Sequence, residues 1–170
     1  PVLNLSAGQK QKVEIIRCLI RNPEVLIMDE PTSVLTEQET SELFTSLKKF
    51  SSEGILIIYI THKLKEVMSL CDEVAVMYMG KVVEQTDRIS FFNSPLHPYS
   101  QALLSAVPSA VPGGGAKKRV ILKGETKNPL DDSPGCSFAS RCPKVEKHCW
   151  SSTPELKPIK HGHLVACHQV

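Results

Sequence analysis

Residues 25–31 read Val25-Leu26-Ile27-Met28-Asp29-Glu30-Pro31, four apolar side chains closed by two carboxylates and a proline. So short a continuous apolar run is the pattern of a parallel strand covered on both faces, with Asp29 and Glu30 at its C-terminal end. Upstream, Ser6 followed three residues later by Gln9 forms a capping box. Val13, Ile16 and Ile20 then fall on one face of a helix from about Ala7 to Arg21, which Asn22-Pro23 stops. Downstream, Thr36 and Glu39 make a second capping box, with Leu43, Leu47 and Phe50 as the apolar stripe and Gly54 as the helix stop. Ile55 to Ile60 is a second buried strand that ends at Thr61-His62. A short helix carrying Leu64, Val67 and Met68 follows, then a hairpin pairing Val74 to Tyr78 with Lys81 to Gln85 around Met79-Gly80. Strands alternating with helices are βαβ units, and in open α/β sheets a ligand sits outside the carboxyl ends of the strands. Asp29, Glu30 and His62 are expected to meet there.

The totals narrow the function. The 170 residues hold one medium domain, or a domain remnant with a small appendage. The 20 Lys and Arg against 18 Asp and Glu give +2, aromatics are 5%, and no basic run is interleaved with aromatics, so no nucleic-acid footprint is expected. The longest apolar stretch, Ile55 to Ile60, falls far short of the ~20 residues a membrane span needs, and no charged-then-apolar leader precedes it. A soluble, unsecreted chain is expected. It begins at Pro1 with a recognisable element almost at once, which points to a piece of something longer.

A short apolar strand closed by Asp-Glu is a Walker B arrangement. In phosphoryl transfer the first carboxylate, Asp29, helps hold Mg²⁺, and the second, Glu30, orients or activates the attacking water. The bland alternative is an ordinary strand leaving into a polar turn. At Ser6, a hydroxyl among small neighbours at a helix N-terminus offers free N–H groups to an anion, and the helix dipole favours its charge. Ser6 acting merely as a helix cap is the alternative there.

Leu5-Ser6-Ala7-Gly8-Gln9 resembles the LSGGQ signature of the ABC ATPases and stands ~20 residues before Asp29-Glu30, the spacing of that family. Glu30-Pro31-Thr32-Ser33 resembles the family's loop after Walker B, and Ile60-Thr61-His62 its switch histidine, which contacts the terminal phosphate. The resemblance implies an ATPase that binds ATP and Mg²⁺ through Ser6, Ala7, Gly8, Gln9 and Asp29, with Glu30 and His62 catalytic. It implies the C-terminal part of a P-loop NTPase domain, peripheral on the inner, cytoplasmic face of the membrane and partnered by a second ATPase subunit and by permease subunits. Ala7 replaces a glycine of the signature, a small-for-small change that narrows backbone freedom. Thr36 stands where many members carry an aspartate. With Lys63-Leu64-Lys65-Glu66-Val67 it resembles the sugar and nucleoside importer branch. No Gly-x-x-x-x-Gly-Lys-Ser/Thr occurs, so the cradle for the β and γ phosphates is missing and this stretch alone is expected to be inactive.

After Gln85 the texture changes. His97-Pro98-Tyr99-Ser100-Gln101-Ala102-Leu103-Leu104 resembles the C-terminal extension of oligopeptide and dipeptide importer ATPases. The resemblance continues through Gly135-Cys136-Ser137-Phe138, Arg141-Cys142-Pro143, Cys149 and the end of the chain. The expected division is a partial nucleotide-binding domain over 1–107, a Pro/Gly-rich linker over 108–118 and a loop-rich, cysteine-ligated tail over 119–170. Cys136, Cys142, Cys149 and Cys167 are separated by five, six and seventeen residues. Four thiolates can close a zinc site or hold an iron–sulfur cluster, and reduced, unliganded cysteines are the plain alternative. The wide spacing and the resemblance favour a four-iron four-sulfur cluster, with His148, His161, His163 and His168 as nearby, mostly solvated substitutes. A segment this short needs such a centre for order. The rival readings are a non-catalytic iron–sulfur or zinc module with a vestigial ATPase half, and a sugar or nucleoside importer ATPase.

Overall fold

The computed structural model describes residues 5–107, 120–122, 124, 134–160 and 162–170. The expected linker at 108–118 and His161 lie outside the described residues. The chain forms two compact units, Pro1–Leu70 and Cys71–Val170.

In the first unit, α1 (Ala7–Leu19), β1 (Val25–Asp29), α2 (Glu37–Ser52), β2 (Leu56–Ile60) and α3 (Leu64–Leu70) follow one another as α, β, α, β, α. β1 and β2 pair in parallel, Val25 opposite Leu56 and Asp29 opposite Ile60, so both strands end level. Leu26, Met28, Leu43 and Leu47 form the core, and Ile15, Leu19, Leu35 and Phe50 pack against it. Gly54 at φ +99° ends α2 as its position suggests.

Two expectations need correction. The strands are covered on one face only: Val25, Ile27, Leu56, Ile58 and Ile60 are exposed, because among the described residues the helices lie against the side carrying Leu26 and Met28. On α1 the residues facing the core are Ile15 and Leu19, while Ile16 and Ile20 are exposed. The helix is apolar on more than one side, and the neighbouring stripe is the one the core takes.

In the second unit, β3 (Glu73–Tyr78) and β4 (Lys81–Asp87) form the expected hairpin, with Met79 and Gly80 both at positive φ as a tight hairpin turn requires. α4 (Arg88–Asn93) and α5 (Pro98–Ser105) follow, then β5 (Lys157–Lys160) and β6 (His163–Val165). The sheet order is β3-β4-β6-β5, antiparallel throughout, so the tail extends the hairpin's own sheet. Phe138, 1% exposed, packs edge-on to Tyr78 with ring centroids 5.1 Å apart, and also meets Tyr99 and His97. Aromatic packing and strand pairing therefore order much of the tail.

Candidate active site and cysteine cluster

The level ends of β1 and β2 place two chemical groups side by side. Glu30 takes a left-handed backbone conformation, φ +44°, which costs a non-glycine residue about 1 kcal/mol. Its N–H donates to the Ile60 carbonyl at 2.9 Å, and the turn directs its carboxylate across to the end of β2. There Glu30 Oε1 accepts the backbone N–H of His62 at 3.0 Å and lies 2.6 Å from His62 Nδ1. Glu30 Oε2 is buried and has no hydrogen-bond partner among the described residues. One carboxylate oxygen is thus held in place, and the other is a desolvated acceptor that no donor among the described residues satisfies.

Asp29 is exposed, and its carboxylate makes no hydrogen bond or ion pair among the described residues. Ser6 caps α1: its hydroxyl accepts the Gln9 N–H at 3.2 Å, and Gln9 Oε1 accepts the Ser6 N–H at 2.9 Å. Ala7 is the first residue of the helix. Gly8 is buried where a Cβ would stand 3.1 Å from the Glu39 carboxylate and 3.2 Å from Leu35, so close packing onto the start of α2 already accounts for a glycine there. No hydrogen bond or ion pair among the described residues joins the Ser6–Gln9 cap to Asp29, Glu30 or His62. The structure brings Glu30 and His62 together and leaves the capped N-terminus of α1 separate.

Sequence reasoning missed Glu66. It reads as one charge in Lys63-Leu64-Lys65-Glu66-Val67, yet it is 7% exposed and accepts bonds from the hydroxyls of Thr32 (2.6 Å), Tyr59 (2.8 Å) and Thr61 (3.1 Å). Lys63 Nζ lies 3.3 Å from it. Burial works to raise this carboxyl, and the bonds from Thr32, Tyr59, Lys63 and Thr61 outweigh it, so it titrates below the usual carboxylate range.

In the second unit, Cys136, Cys142, Cys149 and Cys167 lie close enough to influence one another. Burial, then the neighbouring cysteines, push the Cys142 and Cys167 thiols up, while the Lys144 and Gln169 N–H groups partly offset this. The Gln169 N–H donates to Cys167 Sγ at 3.4 Å, and the Cys136 N–H to the Cys149 carbonyl at 2.7 Å. Among the described residues, however, no three His, Cys, Asp or Glu side chains come close enough to share one metal ion. The compact tetrahedron of a zinc site, with sulfurs about 3.8 Å apart at a Zn–S distance near 2.3 Å, is not formed. The nearby histidines also depart from expectation. His163 is buried and pairs with Glu84, and His148 stacks edge-on with His168, whose Nε2 lies 2.9 Å from the Ser152 carbonyl.

Two families and several curated proteins match parts of this chain. Residues 1–33 match the family described as ABC transporter, and residues 83–149 that described as oligopeptide/dipeptide transporter, C-terminal region. The oligopeptide transport ATP-binding protein AppF of Bacillus subtilis (strain 168) is 39% identical over 165 residues, covering 96% of this chain and 50% of that protein. The dipeptide transport ATP-binding protein DppF of Escherichia coli (strain K12) is 40% identical over 166 residues, covering 97% and 49%. The chain spans about half the length of the curated relatives it matches. A crystal structure of a nucleotide-free ATP-binding cassette from an ABC transporter aligns with a TM-score of 0.53 and 27% identity, over 59% of this chain and 40% of that one.

Proposed function

We infer that the chain, which matches the ABC transporter family over residues 1–33 and the oligopeptide/dipeptide transporter C-terminal region over residues 83–149, belongs to that family as the C-terminal part of an ATP-hydrolysing subunit that powers peptide import. The observation that carries the chemistry is the Glu30–His62 pair, with one carboxylate oxygen fixed and the other buried and unpartnered. In this reading the Glu30 carboxylate takes the proton of the attacking water, and the exposed His62 ring contacts the terminal phosphate. Asp29 would help hold Mg²⁺, which when bound supplies charge compensation to the phosphates. The capped N-terminus at Ser6, Ala7, Gly8 and Gln9 offers N–H groups and a helix dipole to nucleotide held by a second ATPase subunit. Both subunits would dock on permease subunits at the cytoplasmic face of the membrane. No helix among the described residues is long and apolar enough to cross it.

We read residues 1–107 as the ATPase portion and 119–170 as its cysteine-bearing tail. The convergence of Cys136, Cys142, Cys149 and Cys167, with N–H groups bonding to two of the sulfurs, supports a four-iron four-sulfur cluster. The sugar or nucleoside alternative rests on Thr36 and the stretch from Lys63 to Val67; the match over 83–149 favours peptides.

Deleting the gene and following uptake of labelled peptides, sugars and nucleosides tests the reading. Loss of di- and oligopeptide uptake alone is expected. Normal peptide uptake with loss of sugar or nucleoside uptake would overturn it.

A further inference from the structure

A buried carboxylate is costly unless every lone pair is satisfied, and an apolar residue of similar volume usually serves stability as well. Glu66 is satisfied by groups from two different loops. Thr32, 1% exposed, lies two residues after Glu30, and Thr61 immediately precedes His62. Tyr59 adds a hydroxyl from β2. Lys63 closes the arrangement: its Nζ donates to the Thr32 carbonyl at 3.2 Å and to Thr32 Oγ1 at 3.0 Å, and its N–H donates to Thr61 Oγ1 at 3.0 Å. The loop carrying Glu30 and the loop carrying His62 are therefore bolted together beneath the site, through a residue that touches neither group.

We propose that Glu66 is a positioning residue for ATP hydrolysis, bridging Thr32 and Thr61 so that the Glu30 carboxylate and the His62 ring keep their spacing when nucleotide enters. The inference rests on the reading of Glu30 and His62 as the groups that act on nucleotide. Glu66→Gln retains the size but replaces an acceptor oxygen with a donor, so it cannot accept from all of Thr32, Tyr59, Thr61 and Lys63. A carboxylate that only stabilises the fold would, on substitution, lower the thermal midpoint and the nucleotide affinity along with turnover. A positioning carboxylate changes turnover selectively, since a displacement of about 1 Å in a reacting group costs up to about 100-fold.

The test measures kcat, KM for ATP, affinity for a fluorescent ATP analogue and the thermal midpoint in the complete polypeptide, for Glu66→Gln beside His62→Ala. The expected result is a fall of about tenfold or more in kcat for Glu66→Gln, with KM and affinity within about twofold of the parent. Should Glu66→Gln fail to fold, Thr32→Val, which removes one of the bridging donors, is judged by the same criteria. Loss of turnover in His62→Ala with parental turnover in Glu66→Gln overturns the role of Glu66 alone. A loss of affinity in step with kcat overturns it as well, in favour of a structural role. Parental turnover in His62→Ala overturns the reading of the site and this inference together.

Discussion

Glu84 Oε1 and His163 Nε2 lie 2.6 Å apart with both side chains in the interior of the second unit, and the same carboxylate accepts the N–H groups of Leu96 at 2.7 Å and His97 at 3.1 Å. One carboxylate thereby ties the hairpin strand β4, the tail strand β6 and the turn leading into α5. His97 is the neighbouring element of this network: its Nδ1 accepts the Tyr99 N–H at 3.0 Å and caps α5, which requires an unprotonated nitrogen.

That requirement sets a pH dependence. Burial lowers the pKa of His97 from 6.5 to about 4, against a smaller opposing effect of the Glu84 charge. The fold favours the neutral ring, so the stabilisation is complete above pH 6.5 and is lost as pH falls from there towards 4. Its full size is on the order of 3 kcal/mol. Thermal midpoints measured between pH 4 and 7 are expected to fall with acid in the parent chain. They are expected to fall less steeply in His97→Asn, whose side-chain oxygen can cap α5 without titrating. An unchanged slope in His97→Asn would assign the dependence to another group.

Gly135 marks one place where the tail has no room for a side chain. It sits at φ +110°, and an added Cβ would stand 2.5 Å from the Trp150 carbonyl oxygen and 2.8 Å from that of Cys149. Gly54, at φ +99°, has open space around it. Both alanine substitutions incur backbone strain of about 1–3 kcal/mol, but only Gly135→Ala adds a collision with backbone. Denaturant titrations should show Gly135→Ala as clearly the more destabilising. Equal effects would mean the chain passes Trp150 less closely than described.

The proposed four-iron four-sulfur cluster predicts a colour. Protein purified without oxygen is expected to be brown, with iron and acid-labile sulfide in equal amounts, and Cys142→Ser is expected to bleach it. Removing one ligand should also loosen the tail to protease, since ligation and local folding are coupled. Colourless protein with one zinc per chain would support the zinc alternative, and metal-free protein with a protease-resistant tail would exclude both.

Much of the first unit was legible because its signals are local. Ser6/Gln9 and Thr36/Glu39 are both realised as capping boxes, and Leu43 and Leu47 carry the stripe assigned to α2. Glu30 and His62 could be paired from the sequence because each follows a strand, and in open α/β sheets the ligand site lies outside the carboxyl ends of the strands. What escaped depends on contacts between distant residues. Glu66 was hidden in a charged stretch because its partner Thr32 lies 34 positions away, and His163 because Glu84 lies 79 away. The choice of Ile15 and Leu19 over Ile16 and Ile20 was likewise invisible, since neighbouring apolar stripes on one helix differ only in what packs against them. The bare face of β1 and β2 could not be read from a run of apolar residues, which looks the same whether one side is covered or two.

The central claim is that Glu30 acts on the water that attacks ATP, and Glu30→Gln in the complete polypeptide tests it most directly. The amide keeps the shape and its oxygen can still accept the His62 N–H, but it cannot take up a proton. Turnover is expected to fall at least about 100-fold while affinity for Mg-ATP stays within about threefold. Turnover near the parental rate, or a loss of binding equal to the loss of turnover, would contradict the account.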